Sequence, residues 1–305
     1  MSTKAERICK KWTLDPNVTI SELARQFNTS RSQIRRVLRR YGVYDTRNRH
    51  KFIHPIIIKQ PKIKEVEMFI SDLHIPHHDR TACGVMYSYM LNLQPDIIYI
   101  GGDVLDFHKI SFFTRDPEEI DIVDEIEQAK DFFAQLREDF PNAKIYLEGG
   151  NHVEGRWERY LSGTQLKGIE GLDIDTILGL QAFDIIYVSA FEEKKMTGKF
   201  PKIGGLYHLH GHEASVSYNG VNVARTMFLR TRENVIFGHF HKTQEYYTRD
   251  MNGDVRACWS VGCLCDLTPR FRPINDWNHG FAVIYHYENG TFEVHNKKII
   301  DGKVL

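Results

Sequence analysis

Five short polar clusters recur in order along the chain: Asp72-Leu73-His74, Gly102-Asp103-Val104-Leu105-Asp106, Gly150-Asn151-His152, His210-Gly211-His212 and Gly238-His239-Phe240-His241. Glu154-Gly155-Arg156 trails the third of them. Their donors are oxygen and nitrogen only, a mixed Asp/Asn/His set that suits borderline divalent cations. Two such ions held close together favour in-line attack on phosphorus, so phosphoester hydrolysis is the first chemistry to consider.

One cluster alone would mean little, because a lone His after a strand is more often structural than a ligand. Placement strengthens the case. Apolar runs at Val66–Ile70, Ile97–Ile100 and Lys144–Leu147 read as strands. Helical stretches lie between them, one around Thr81–Leu93 and one opened by Asp116-Pro117 with Ile122, Ile126, Ala129, Phe133 and Leu136 on one face. That alternation implies parallel strands under helical cover. Further strand-like runs at Asp184–Val188, Gly205–Leu209, Asn234–Phe237, Ala257–Val261, Phe281–Tyr287 and Thr291–Asn296 point to a two-sheet sandwich flanked by helices. All five clusters then fall just past the carboxyl end of a strand, where α/β sheets build ligand sites. Adjacent glycines let the backbone turn sharply there and approach a metal or phosphate closely.

The charge is segregated. The 305 residues carry 40 Lys and Arg against 40 Asp and Glu, yet residues 1–52 hold 13 basic against 4 acidic residues, a balance of +9 set against −9 for the rest. A basic module joined to an acidic one points to an anionic partner such as nucleic acid. Within the basic part, Lys4–Leu14 reads as one helix, Glu22–Phe27 as a second, and a third is capped by Ser30 and stopped by Gly42. Two helices joined by a short polar turn, the second rich in arginine, form a helix-turn-helix pattern, expected over residues 1–45. On that pattern Arg31, Ser32 and Gln33 approach base edges, and Arg35, Arg36, Arg39 and Arg40 hold phosphates. The stretch TISELARQFNTSRSQIRRVL also resembles helix-turn-helix modules of sigma factors and transposases. Residues 46–63, punctuated by two prolines, read as a linker with one short strand at Ile56–Ile58.

No apolar run approaches the roughly 20 residues that span a bilayer, and the N-terminus MSTKAERICKK lacks the apolar core of a signal peptide. A cytoplasmic protein is expected. The five cysteines show no CxxC pair and read as reduced, largely buried thiols.

Over roughly residues 65–265 the ordered motifs DxH, GDxxD, GNH, an isolated His and GHxH make the chain similar to the calcineurin-like metallophosphoesterases. The resemblance implies a four-layer α/β/β/α sandwich over residues 64–305 with two divalent metals at the strand ends. It implies one metal held by Asp72, His74, Asp103 and His241, and a second, bridged by Asp103, held also by Asn151, His210 and His239. Mn²⁺ is the first choice, with Fe, Zn, Ni or Mg compatible with the same ligands. A water shared between two such ions loses a proton near neutral pH and becomes the nucleophile. His152 is then expected as general acid for the leaving oxygen, with Asp106 orienting it and raising its pKa.

Three details stay open at this level. Of His210 and His212, the first directly ends its strand and is read as the ligand, the second as substrate-facing. Val153 stands where the family usually has an acidic residue, as though one residue were inserted before Glu154. Arg156 either clamps a phosphate bidentately or pairs with Glu158 or Glu170. Trp277, His279 and Phe281 offer an aromatic wall.

The leading expectation is a two-metal phosphoesterase acting on nucleic acid, a nuclease or a DNA-end phosphatase recruited by its basic arm. A phosphatase or phosphodiesterase acting on phosphoprotein or small phosphoesters is the second reading, although GDVLDFH lacks the Arg of the protein-phosphatase pattern GDxVDRG. A DNA-binding regulator with an inactive phosphoesterase domain is the third.

Overall fold

A computed structural model describes residues 2–15, 17–44, 61–111, 120–218 and 220–305. The expected strand at Ile56–Ile58, the expected opening of a helix at Asp116-Pro117 and most of the expected linker lie outside the described residues. The chain divides into two compact units, Met1–Gln60 and Pro61–Leu305.

The first unit contains helices α1 (Lys4–Leu14), α2 (Ile20–Gln26) and α3 (Arg31–Arg40). Each starts with a reciprocal capping box, Thr3 with Glu6, Thr19 with Glu22 and Ser30 with Gln33, which satisfies two otherwise orphaned backbone donors per helix. Ile8, Trp12, Leu23, Ile34 and Leu38 close a small core. Helix α2 starts at Ile20, two residues before the expected Glu22, because Thr19 makes the cap.

The second unit holds two sheets. Strands β1 (Ile63–Ile70), β2 (Ile97–Ile100), β3 (Lys144–Glu148), β4 (Ile185–Val188), β10 (His279–Tyr287), β11 (Phe292–Ile300) and β12 (Lys303–Val304) form one. Its order is β12-β11-β10-β1-β2-β3-β4, and β1 through β4 are parallel. The other contains β5 (Lys202–Ile203), β6 (Leu206–Leu209), β7 (Val235–Phe237), β8 (Gln244–Arg249) and β9 (Val255–Ser260), in the order β5-β6-β7-β9-β8 with β6, β7 and β9 parallel. Strand β1 takes in Ile63, the last residue of the expected linker.

Three apolar layers separate four structural ones. Helices Arg80–Leu93 and Ile122–Asp139 lay Met86, Met90, Phe133 and Leu136 against Ile98, Ile100 and Ile145 of the larger sheet. Phe69 and Tyr99 meet Leu206, Ile236 and Trp259 between the sheets. Helix Val223–Thr231 covers Val235, Phe237 and Cys258 on the far face. The result is the α/β/β/α sandwich that the motifs imply. Phe281 belongs to the first of these layers and is fully buried, so it is core and not cleft wall.

One polar group interrupts the inter-sheet region. Glu67 of β1 is sealed from solvent, with Oε1 2.6 Å from His208 Nε2 and Oε2 2.7 Å from His286 Nε2. Burial pushes its carboxyl pKa up, but His208 and then His286 outweigh that and hold it at about 2. Among the described residues no helix is long and apolar enough to cross a membrane.

Candidate metal centre

The clusters converge because the strands bearing them lie side by side. Asp72 and His74 leave β1, Asp103 leaves β2, Asn151 and His152 leave β3, His210 leaves β6, and His239 and His241 leave β7. Five of these residues, Asp72, His74, Asp103, His239 and His241, have positive φ between 50° and 66°. That region is uncommon for residues with a side chain, and strain of this kind gathers where function over-determines the backbone. Gly150 shows the closeness of the packing: a Cβ there would sit 2.4 Å from Asp103 Oδ1.

Asp103 is the centre. Its Oδ1 accepts the His152 amide at 2.9 Å, which aims Oδ2 at three imidazoles. Oδ2 lies 3.1 Å from His210 Nε2, 3.8 Å from His152 Nε2 and 4.0 Å from His74 Nε2. His210 Nδ1–H donates to Gly101 O at 2.8 Å, so in the neutral ring Nε2 carries a lone pair. That lone pair faces Asp103 Oδ2 and, at 3.0 Å, Asn151 Oδ1. His239 completes this group, with ligand atoms of Asp103, His210 and His239 all within 4.8 Å of one another.

The neighbouring group has the same character. His74 Nδ1–H donates to Asp106 Oδ1 at 3.1 Å, leaving its Nε2 pointed at His241 Nε2, 3.2 Å away. Asp72 Oδ1 lies 3.2 Å from His241 Nε2 and 3.8 Å from His74 Nε2, and it is a buried oxygen with no hydrogen-bond partner. Lone pairs facing lone pairs in a buried space demand positive charge. The titration of the ligands registers the demand. Burial lowers the pKa of His74, yet Asp106 and Asp72 lift it to about 10, and Cys263 and Asp72 lift His241 to about 9 against the same penalty. Burial raises Asp103, but His152 and His210 hold it well below the usual carboxylate range. The donors gather in overlapping clusters, His74 with Asp103 and His152, His74 with His241 and Cys265, and Asp103 with His210 and His239, and such His/Asp clusters fit two divalent cations.

Asp106 is busier than expected. Besides His74, its Oδ1 lies 3.3 Å from His152 Nδ1, a close approach that makes no hydrogen bond, while its Oδ2 accepts from Arg156 at 3.1 Å. Burial lowers the pKa of His152, and the pull of Asp103 and Asp106 does not make up the loss. The expected upward shift is thus reversed by desolvation. Arg156 donates to Asp106 O as well, so it braces the motif loop and pairs with neither Glu158 nor Glu170.

At the position of the expected insertion, Val153–Glu158 forms a turn of π-helix in place of regular α-helix. Glu154 then meets His212, with Nε2 2.9 Å from Oε2. His212 sits beside the cluster, its ring centroid 5.4 Å from that of His210. Trp277 places its ring edge against His241 at 4.2 Å, and His279 Nε2–H donates to Cys265 O.

Several partners escape sequence reasoning. Glu213 accepts the backbone N–H of His210 and of Gly211, at 3.1 and 2.7 Å, and so shapes the His210-Gly211-His212 turn. Cys265 Sγ lies 3.7 Å from His241 Nδ1. The acidic residue directly after His212 was a usable signal for the first. Nothing local marks the second. On the basic unit, Arg31, Ser32, Arg35, Arg36, Arg39 and Arg40 are all exposed, whereas the Gln33 carbonyl is drawn into the helix cap.

No family model matches the chain. It is 27% identical over 227 residues to the gene 54 protein of Mycobacterium phage L5, covering 70% of this chain and 86% of that one. It is 28% identical over 228 residues to the gene 54 protein of Mycobacterium phage D29, with the same coverage. Among solved structures it is similar to Vps29 complexed with Zn²⁺ from Entamoeba histolytica, with 12% identity, TM-score 0.42 and coverage of 79% and 96%. It is also similar to a dimetal phosphatase from Danio rerio, with 13% identity, TM-score 0.38 and coverage of 81% and 98%. Overlaps this loose assign no role to any residue here. In motif order and layer architecture the chain resembles the calcineurin-like metallophosphoesterases.

Proposed function

We propose that this protein is a two-metal phosphoesterase acting on nucleic acid, as a nuclease or DNA-end phosphatase, with its basic N-terminal helices binding DNA. The carrying observation is Asp103 Oδ2, shared among the Nε2 atoms of His210, His152 and His74 at 3.1 to 4.0 Å. A carboxylate so placed can bridge two cations. When bound, such ions neutralise phosphoryl oxygens and make a water acidic enough to attack phosphorus. Mn²⁺ is the ion to try first.

The chain's own contribution is positioning and proton transfer. Asp72, His74 and His241 on one side, and Asn151, His210 and His239 on the other, hold the donor atoms in register. His152, whose pKa burial depresses, presents Nε2 toward Asp103 and is placed to hand a proton to the leaving oxygen from its imidazolium form, returning to the neutral ring. The five exposed arginines of α3 support a polyanionic substrate. The phosphoprotein reading is weakened at the position after Asp106, where Phe107 is fully buried and stacked on Trp157 at 5.4 Å in place of a phosphate-binding Arg.

The test is a Mn²⁺-supplemented panel of aryl monoester, aryl diester, single- and double-stranded DNA, 3′-phosphate ends and a phosphopeptide. Diester or DNA hydrolysis is expected, and His152→Ala should lower kcat by roughly 10²- to 10⁴-fold while metal binding persists. Neutralising Arg35, Arg36 and Arg39 to Ala should weaken DNA binding and reduce its salt slope by about 3. Unchanged DNA affinity would remove the recruiting role, and turnover of the phosphopeptide alone would replace nucleic acid as substrate.

A further inference from the structure

The segment 266–278 that follows β9 carries side chains the two-metal chemistry does not use. Trp277 lies edge-on to the metal-site residue His241 at 4.2 Å. Phe271 continues outward from it at 6.4 Å and is 74% exposed. Tyr218 stands edge-on to His239, with ring centroids 5.5 Å apart, and the guanidinium of Arg272, next to Phe271 in the chain, lies over the Tyr218 ring at 4.6 Å. Aromatic and guanidinium planes thus lead outward from the candidate metal centre.

The segment is held in shape before any ligand arrives. Asn275 Nδ2 donates to Leu267 O and Arg272 O at 2.7 and 2.9 Å, and its Oδ1 accepts from the Trp277 amide at 3.0 Å. Asp276 pairs at 2.6 Å with Lys242, whose side chain is nearly sealed from water. Trp277 Nε1 is a buried donor with no hydrogen-bond partner. A rigid support that presents Phe271 to water, beside an orphaned donor and a guanidinium plane, is built for a flat, π-bearing, hydrogen-bonding group. Phosphate alone needs none of these, and a phosphopeptide would gain more from cations than from a bare phenyl ring. Unpaired nucleobases offer a π-face for stacking and edges for hydrogen bonds.

Resting on the phosphoesterase reading, we propose that segment 266–278 with Tyr218 is a nucleobase platform, so that the preferred substrate is a phosphoester bearing an unpaired base next to the scissile phosphorus. Nucleotide esters and single-stranded ends fit this description, and a fully paired duplex interior does not.

The test compares thymidine 5′-(p-nitrophenyl) phosphate with bis(p-nitrophenyl) phosphate, using the full chain and Mn²⁺. Both esters are chromogenic, and both are too small to read out phosphate contacts on the basic helices. Wild type should favour the nucleotide ester, and Phe271→Ala should lower the ratio of the two kcat/KM values by about tenfold, chiefly through KM. Phe271→Trp should restore the ratio. A titration with thymidine, which has no phosphoester to hydrolyse, should show a matching loss of affinity in Phe271→Ala. A ratio unchanged in Phe271→Ala, or a wild type with no preference for the base, overturns the platform and leaves the phosphoesterase standing. Hydrolysis of neither diester by wild type overturns the platform, and failure on an aryl monoester as well overturns the phosphoesterase reading with it.

Discussion

Two buried acid–histidine groups lie in the same sandwich, and only one is a candidate reaction centre. Glu67, His208 and His286 sit within strands β1, β6 and β10, and each carboxylate oxygen has its own imidazole at 2.6 or 2.7 Å. Asp72, Asp103 and their histidines sit past the ends of β1, β2, β6 and β7, where donors outnumber the protons available to join them. The first group is closed around its acid: both Glu67 oxygens are hydrogen-bonded. The second is open, because Asp72 Oδ1 has no partner and His74 and His241 turn Nε2 atoms toward each other. Residue type does not separate them. Saturation of the carboxylate does, and it follows from whether the acid lies within a strand, as Glu67 does, or past its end, as Asp72 does.

Four measurements would break or sharpen that contrast. Asp103→Asn should cut kcat/KM by roughly 10³-fold or more and remove a Mn²⁺ site by calorimetric titration, with the circular dichroism spectrum retained. If the variant keeps both metals and full turnover, the open cluster is structural like the closed one.

Glu67→Gln should do the opposite. Breaking a buried ion pair leaves charge uncompensated, so unfolding in urea should show a loss of roughly 3 to 5 kcal/mol, while kcat per folded molecule holds. A large drop in kcat at unchanged stability would mean that the two groups are coupled.

Chelation distinguishes them more gently. At a Mn²⁺ concentration about 100 times its Kd, each bound ion removed should cost wild type about 2.7 kcal/mol. Glu67→Gln should lose the same amount, and Asp103→Asn clearly less.

Acid gives the smallest effect. Glu67 has a folded pKa of about 2, below its ordinary 4.5, so its stabilisation is present above pH 4.5 and is lost as pH falls through about 2. The stability gap between wild type and Glu67→Gln should therefore be constant near neutrality and shrink below pH 4.5. A gap that widens in acid would contradict the assignment of charge to Glu67.

Much of the site was legible because its signal is local. Each cluster follows an apolar run closely, and an apolar run past which Gly, Asp, Asn or His appears marks both a strand and its end. The β8 strand was not legible. Gln244–Arg249 alternates half-buried and exposed sides and leads into a turn at Asp250-Met251-Asn252-Gly253, yet its polar composition masks the alternation. Asp106 was read as a partner of His152 alone, since sequence separation says nothing of which imidazole lies closer; its hydrogen bond goes to His74.

By itself the sequence determined the ligand types, their order, the strand ends that carry them and the segregation of basic residues into the first 52 positions. These depend on neighbours within a few residues, where periodicity and turn chemistry act. Tertiary structure alone decided that Glu67 meets His208 and His286 across the sheets, that Glu154 reaches His212 through a π-turn, and that Trp277 stands against His241. Those contacts depend on sheet order and layer packing, which bring together residues up to 219 positions apart.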